Sequence, residues 1–407
     1  MIDYDPEEFE DIEGGGGASV RRLYWRAIKT LLIALGIQTI AGLSPTAIDS
    51  YYSRKLYLFI PWLLAKLNRM AGFSFSEIFF LLLVGVFLLW GLWSALKAFR
   101  GQTPILDSLK VIVLYAIWTA SVLFVIFKLM WGLNYQRLPL AEGAGFEDRY
   151  AKTEELNQIG LAIVNGIRNN FTPLPGSGSN AGGGAAATGT AEVALSAENE
   201  RLRILEFSKV IDHSFLTLDL FNELDGWDFG PPKLLWSSPM IRLLGVRSFY
   251  LPFTGEVSVQ GGLATIDLPF AIARAKAYQR GFAREDEANF VAYLVCINAV
   301  DQVVRYSGYL HGAKVLEVLE RSGIGSYLDS LGEGPRRHIS QRQAGADWML
   351  GSLTRSIVDG IFNLHLRVNR VVQGTKSADG DAGLIVSYYL TYKNRTVSQF
   401  PGGSVVD

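Results

Sequence analysis

The chain has 407 residues, 49% of them hydrophobic, and a formal net charge of -1, so it carries no basic excess of the kind that binds nucleic acid. A single cysteine, Cys296, excludes an internal disulfide and a cysteine-rich metal site; it lies in the apolar run AYLVCINAV and reads as a buried thiol. The positive mean hydropathy points to a protein partly embedded in a membrane, with room for about two or three domains.

Residues 1–20 are acidic and then glycine-rich, with seven acids in the first thirteen positions and GGGG after them. Such a segment cannot bury enough apolar surface to fold, so it is predicted to be a disordered tail. It lacks the basic start and cleavage pattern of a signal peptide, and the first apolar segment is expected to stay as an anchor.

Residues 21–134 read as a membrane domain with about three transmembrane helices. Arg21, Arg22, Arg26 and Lys29 lead into Ala27 to Leu43, the weakest span because it is short and contains Gln38. Ile78 to Leu96 is uncharged and long enough to cross about 30 Å of hydrocarbon. Val111 to Trp131 is interrupted only by Lys128, close enough to the end to snorkel. Trp90, Trp93, Trp118 and Trp131 suit interfacial anchors or packing between helices. Between the first two spans, Tyr57 to Leu67 is too short to cross and too apolar for a loop, which predicts an interfacial or re-entrant helix.

The basic flanks favour a cytoplasmic N-terminus. The N-terminal flank, through Lys29, has four basic residues, and Lys97, Arg100 and Lys110 lie between the second and third spans, against Arg54, Lys55, Lys66 and Arg69 on the other side. Three crossings then put everything after about residue 135 outside the cytoplasm.

In that region, Tyr150 to Phe171 has a helical stripe of Leu156, Ile159, Ile163 and Ile167. Residues 173–191 form a Gly/Ala-rich flexible insertion with no phosphate-loop signature. A long helix is predicted over Val193 to Leu224, and short strands over Ser248 to Phe253 and Glu256 to Gln260. Pro269 opens a helix that Gly281 can end, and a second begins near Arg284 to Asn289, with Glu285, Asp286 and Glu287 suited to its positive end. A helix from Arg305, a helical pattern over Trp348 to Val371 and a last helix over Gly383 to Asn394 complete the chain, although the β-branched and aromatic content of the last also suits a strand. None of His213, His311, His338 and His365 has another histidine three or four residues away, so each reads as a surface or satisfied core histidine.

The segments YLPFTGEVSVQ, DLPF, AYQRGFAREDEANFVAYLVC and RYSGYL, with WGLNYQRLPL upstream, resemble an uncharacterised family of bacterial membrane proteins, domain of unknown function 3810. Its members are similar to gluzincins, and their usual sequence here is close to HExAHQxGxxxEDEANFxAY. The resemblance implies a mainly α chain: N-terminal transmembrane helices, then an extracytoplasmic α+β zincin-like domain over 135–407 with a small sheet. It places the chain in the bacterial inner membrane. It also puts Arg274 where the first zinc histidine stands, Ala275 at the general base and Tyr278 at the second histidine. Glu285 corresponds to the third ligand, and Asn289 to the aspartate that follows it. Glu256, Val257, Ser258, Val259 and Gln260 correspond to the strand at the cleft edge, where a peptide can add by strand pairing.

Zinc needs three protein ligands and an open position, and one carboxylate beside a permanent cation does not supply them. No catalytic residue, metal ligand or cofactor is therefore assigned. Arg274 is expected to pair with Glu285, its charge standing where the ion's would be. The reading is a membrane-anchored pseudopeptidase that binds a polypeptide or membrane partner through the former cleft. The alternatives are a metallopeptidase with an atypical site, supported if a histidine lay beside Glu285, and a structural scaffold of a membrane complex.

Overall fold

The computed structural model describes residues 17–100, 105–147, 149–171, 197–218, 224, 226–348 and 380–392. The expected insertion at 173–191, all but the first residue of the Trp348 to Val371 helix, and most of the N-terminal tail lie outside the described residues. The first helix, α1 (Gly17–Ala41), starts inside the stretch assigned to that tail.

Among the described residues, two helices are long and apolar enough to cross a membrane: Phe75–Lys97 within α4 (Phe75–Phe99) and Leu109–Met130 within α5 (Ile105–Met130). α1 packs along α5 through Leu23, Ala27, Ala34 and Ala41, and Gln38 accepts a hydrogen bond from Lys128 near the ends of both helices. Their chain directions are thus parallel, and the polar pair that weakens both spans is satisfied between them. At the break after Ala41 the chain turns through 94°, and a short α2 (Pro45–Ala47) opens the turned segment. If this bent pair counts as one crossing, the spans number three.

The turned segment is wound as a π-helix over Ile48–Leu56 and continues as α3 (Tyr57–Asn68). The wider winding sets Arg54 over Asp49, five residues back, at 2.7 Å. Asp49 also holds the buried Arg137 at 3.0 Å. The apolar run Tyr57 to Leu67 is therefore helical as expected. It has two faces, however: Tyr57, Leu58 and Ala65 are buried, Tyr57 and Leu58 within the main core, whereas Phe59, Leu63 and Leu67 are exposed.

After a 3-10 turn at Gly132–Gln136 and α6 (Leu140–Gly143), the extramembrane part is built on α7 (Thr153–Asn169), α8 (Ala197–Leu216) and α9 (Ser238–Leu243). α10 (Leu268–Gln279), α11 (Glu285–Ile297), α12 (Gln302–Arg321), α13 (Glu333–Trp348) and α14 (Asp381–Tyr392) follow. α11 is apolar around its circumference and buried from Glu287 to Ile297, which makes it the centre of the core. α10, α12 and α14 pack against it. The last segment is a helix because Ile385 and Tyr388, three residues apart, both face this core.

The sheet has three strands in the order β1-β3-β2: β1 (Lys233–Leu234), β2 (Ser248–Leu251) and β3 (Glu256–Val259). This corrects the expectation of a cleft-edge strand. Glu256, Val257, Ser258 and Val259 form the middle strand, antiparallel to β2 with Phe249 opposite Ser258 and parallel to β1 with Leu234 opposite Val259. Gln260 follows directly, and all five residues are buried. Strand addition at β3 has no free edge where β1 and β2 already pair with it. The β2–β3 turn closes on Gly255, at φ +67°, where a Cβ would lie 2.5 Å from that of Leu64 in α3.

Candidate functional site at the junction of α10 and α11

α10 ends as its sequence dictates. Gly281 has φ +87°, Phe282 N donates to Ala277 O at 3.1 Å and Gly281 N to Tyr278 O at 3.0 Å, a Schellman closure that only a residue tolerant of positive φ completes easily. Three side chains from the membrane-proximal segments also donate to carbonyls there. Tyr57 Oη bonds Gln279 O at 2.7 Å, Trp131 Nε1 bonds Tyr278 O at 2.9 Å, and Arg137 Nη1 bonds Gly281 O at 3.4 Å.

The outer face of α10 carries Phe270, Arg274 and Tyr278 at successive turns. Arg274 Nη1 lies 3.8 Å from Glu285 Oε1 at the start of α11, so the expected ion pair is present, longer than a hydrogen bond and partly open to solvent. Tyr278 packs edge-on to Trp131, and burial, with Glu285 beside it, pushes its phenol up. Tyr135 is buried; burial, reinforced by Tyr278 and Glu285, raises its phenol as well. Ala275 is fully enclosed, and Asn289 is buried one turn into α11.

These donors do not fit zinc. Arg274 is cationic, Ala275 has no donor, Tyr278 is held in its neutral phenol form and Glu285 is engaged with Arg274. Among the described residues, no group of three His, Cys, Asp or Glu side chains is arranged to hold a metal. His311 lies against Asp381, Nε2 to Oδ2 at 2.5 Å, and stacks on Phe270 with ring centroids 3.9 Å apart. Its burial lowers its pKa to about 4, so the neutral ring donates to the carboxylate. His338 bonds Tyr306 at 2.8 Å, His213 is exposed, and His365 lies outside the described residues.

The inner face of α10 holds a cluster that the motif reading passed over. Lys276 Nζ lies 2.8 Å from both Asp212 carboxylate oxygens, and Arg280 Nη2 lies 2.7 Å from Oδ1. Both cations are buried, and the Arg280 guanidinium stands over the rings of Phe215 and Phe229. Two long cationic side chains four residues apart, Lys276 and Arg280, were the available signal; their shared partner, on α8, has no local signature.

The domain also grips the start of α4. Glu256 accepts from Ser74 Oγ at 2.5 Å and Phe75 N at 2.8 Å, capping the helix. In return Glu77 accepts from Ser237 N at 2.7 Å and Trp236 N at 3.3 Å.

A family model described as Protein of unknown function (DUF3810) matches residues 52–386. No curated protein matches the chain, and no solved structure does.

Proposed function

The chain belongs to the family Protein of unknown function (DUF3810), and from that premise we propose that it is a membrane-anchored, non-catalytic member with a zincin-like extramembrane domain. In this reading the surface around Arg274 and Glu285, the position of the former cleft, binds a polypeptide or membrane partner in place of hydrolysing one. The observation that carries it is the Arg274–Glu285 pair, which neutralises the one carboxylate left at the positions where the resembling sequences keep zinc ligands. Around the pair, the partly exposed Tyr278 packs on Trp131, which packs in turn on Tyr135, buried rings that hold it in place beside Glu285. The same reading has α1, α4 and α5 cross the bacterial inner membrane with the N-terminus in the cytoplasm. The parallel run of α1 and α5 supports an odd number of crossings before residue 135.

Elemental analysis of the purified full chain, beside a variant carrying Arg274→His, Ala275→Glu and Tyr278→His, tests this. The expected result is a metal-free parent and one zinc per chain in the variant. Stoichiometric zinc in the parent would overturn the proposal.

A second reading, a scaffold within a membrane complex, is favoured by the three hydrogen bonds from the membrane-proximal segments to the end of α10. It predicts that peptides of mixed sequence bind the purified protein no better than they bind the Arg274→Glu variant.

A further inference from the structure

We propose that α9, with Trp236 before it and Leu244 after it, is a second membrane contact of the extramembrane domain, a monotopic foot that enters the headgroup region of the leaflet beside the first turn of α4. The segment is WSSPMIRLLG, and its large apolar side chains are turned outward. Trp236, Met240, Leu243 and Leu244 are 65%, 70%, 66% and 41% exposed. Met240, Leu243 and Leu244 stand at i, i+3 and i+4, on one side of the short helix, and Trp236 lies in the turn that leads into it. The remaining charge in the segment does not break that face, because Arg242 Nη2 turns back to donate to Gly261 O at 2.9 Å.

Exposure alone does not name what covers such a face; its attachment does. The Glu77 carboxylate, which receives the Trp236 and Ser237 backbone amides, belongs to the first turn of a helix whose apolar span begins at Phe75. The backbone of α9 therefore starts at the depth where that span meets the headgroups. Six residues at 1.5 Å each reach only about 9 Å from there, within the zone an interfacial helix occupies. The preceding turn is of the same character, with Met70 and Phe73 exposed immediately before α4. Phe79 of α4 stacks on Phe253 of the β2–β3 turn at 5.1 Å, so the domain is seated against the span on this side as well. The apolar surface of α4 is thus continuous with a domain surface whose side chains have the tryptophan and aliphatic composition of an interfacial anchor. The occupant is lipid.

The test uses the full chain in phosphatidylcholine/phosphatidylglycerol vesicles, with Met240→Cys or, separately, Leu243→Cys labelled by an environment-sensitive nitrobenzoxadiazole maleimide. The unsubstituted chain, whose Cys296 is buried, is the labelling blank. The expected result at both positions is blue-shifted emission that is lost to a nitroxide carried high on the lipid acyl chain and retained against aqueous iodide. Water-like emission quenched by iodide would overturn the proposal. So would protection from both quenchers, which would mean that a second copy or another protein segment covers α9.

Discussion

Asp212→Asn is the sharpest probe of how α10 is held. The wild-type carboxylate faces two buried cations at 2.7 and 2.8 Å, and the amide would remove their bonded counter-charge, leaving only the weaker pull of Asp228. Breaking a fully buried ion pair costs about 3–5 kcal/mol. Asp212 is itself 37% exposed, so water screens part of its contribution, and the expected loss falls to about 2–3 kcal/mol. Arg280 cannot shed its proton, whereas burial already lowers the proton affinity of Lys276, so deprotonation of the lysine limits the damage. A transition of this size should lose about 5–10 °C in Tm, read by tryptophan fluorescence of the detergent-solubilised full chain. Arg274→Gln, which breaks the longer and more open pair with Glu285, should cost under about 1 kcal/mol. Adding Lys276→Met to Asp212→Asn removes one stranded cation and should recover at least about half of the lost Tm. If Asp212→Asn behaves like Arg274→Gln, or if Lys276→Met deepens the loss, the cluster does not hold α10 as argued.

Other perturbations follow the same logic. His311 titrates at about 4 in the folded chain against an ordinary 6.5, so the unfolded chain protonates first as pH falls. Its share of stability is complete above pH 6.5 and is lost down to pH 4, about 3 kcal/mol in all, and it changes no further below that; Tm against pH should show this limb in the parent and a flatter one in His311→Gln. Gly281→Ala forces a non-glycine residue to φ +87° and sets its Cβ 3.1 Å from Asn134 Oδ1 and the Tyr57 ring. The expected cost is about 2 kcal/mol, again read as Tm. Tyr57→Phe leaves a carbonyl at the end of α10 without its 2.7 Å donor, at about 1–2 kcal/mol. Amide hydrogen exchange over residues 278–282 should accelerate in that variant while the centre of α11 stays protected.

The limits of α10 and α11 were legible because their signals are local: a proline at one end, a glycine at the other and acids in the next first turn. The Arg274–Glu285 contact was legible because both residues lie in one helix-turn-helix unit. The position of β3 was not. Its neighbour β1 is a two-residue strand after Pro231 and Pro232, too short to show any alternation, and a strand's rank in a sheet depends on partners that its own sequence does not name. The same holds for Asp212, separated by 64 residues from the lysine it serves. The apolar character of α3 was plain, but the burial of Tyr57 in the core of the later domain was not, because hydropathy reports that a side chain avoids water without telling lipid from protein.

The donors that finish α10 all come from chain synthesised before it. Residues 57, 131 and 137 supply the side-chain donors that residues 278–281 meet when they arrive, and without them the carbonyls of Gln279 and Gly281 lose these partners. Membrane insertion is in this sense a template for the extramembrane fold. A fragment beginning at residue 138 would lack all three groups, as well as the Asp49–Arg137 link behind them. The two halves should consequently melt together, and a secreted version of the domain would start life with its central helix unfinished.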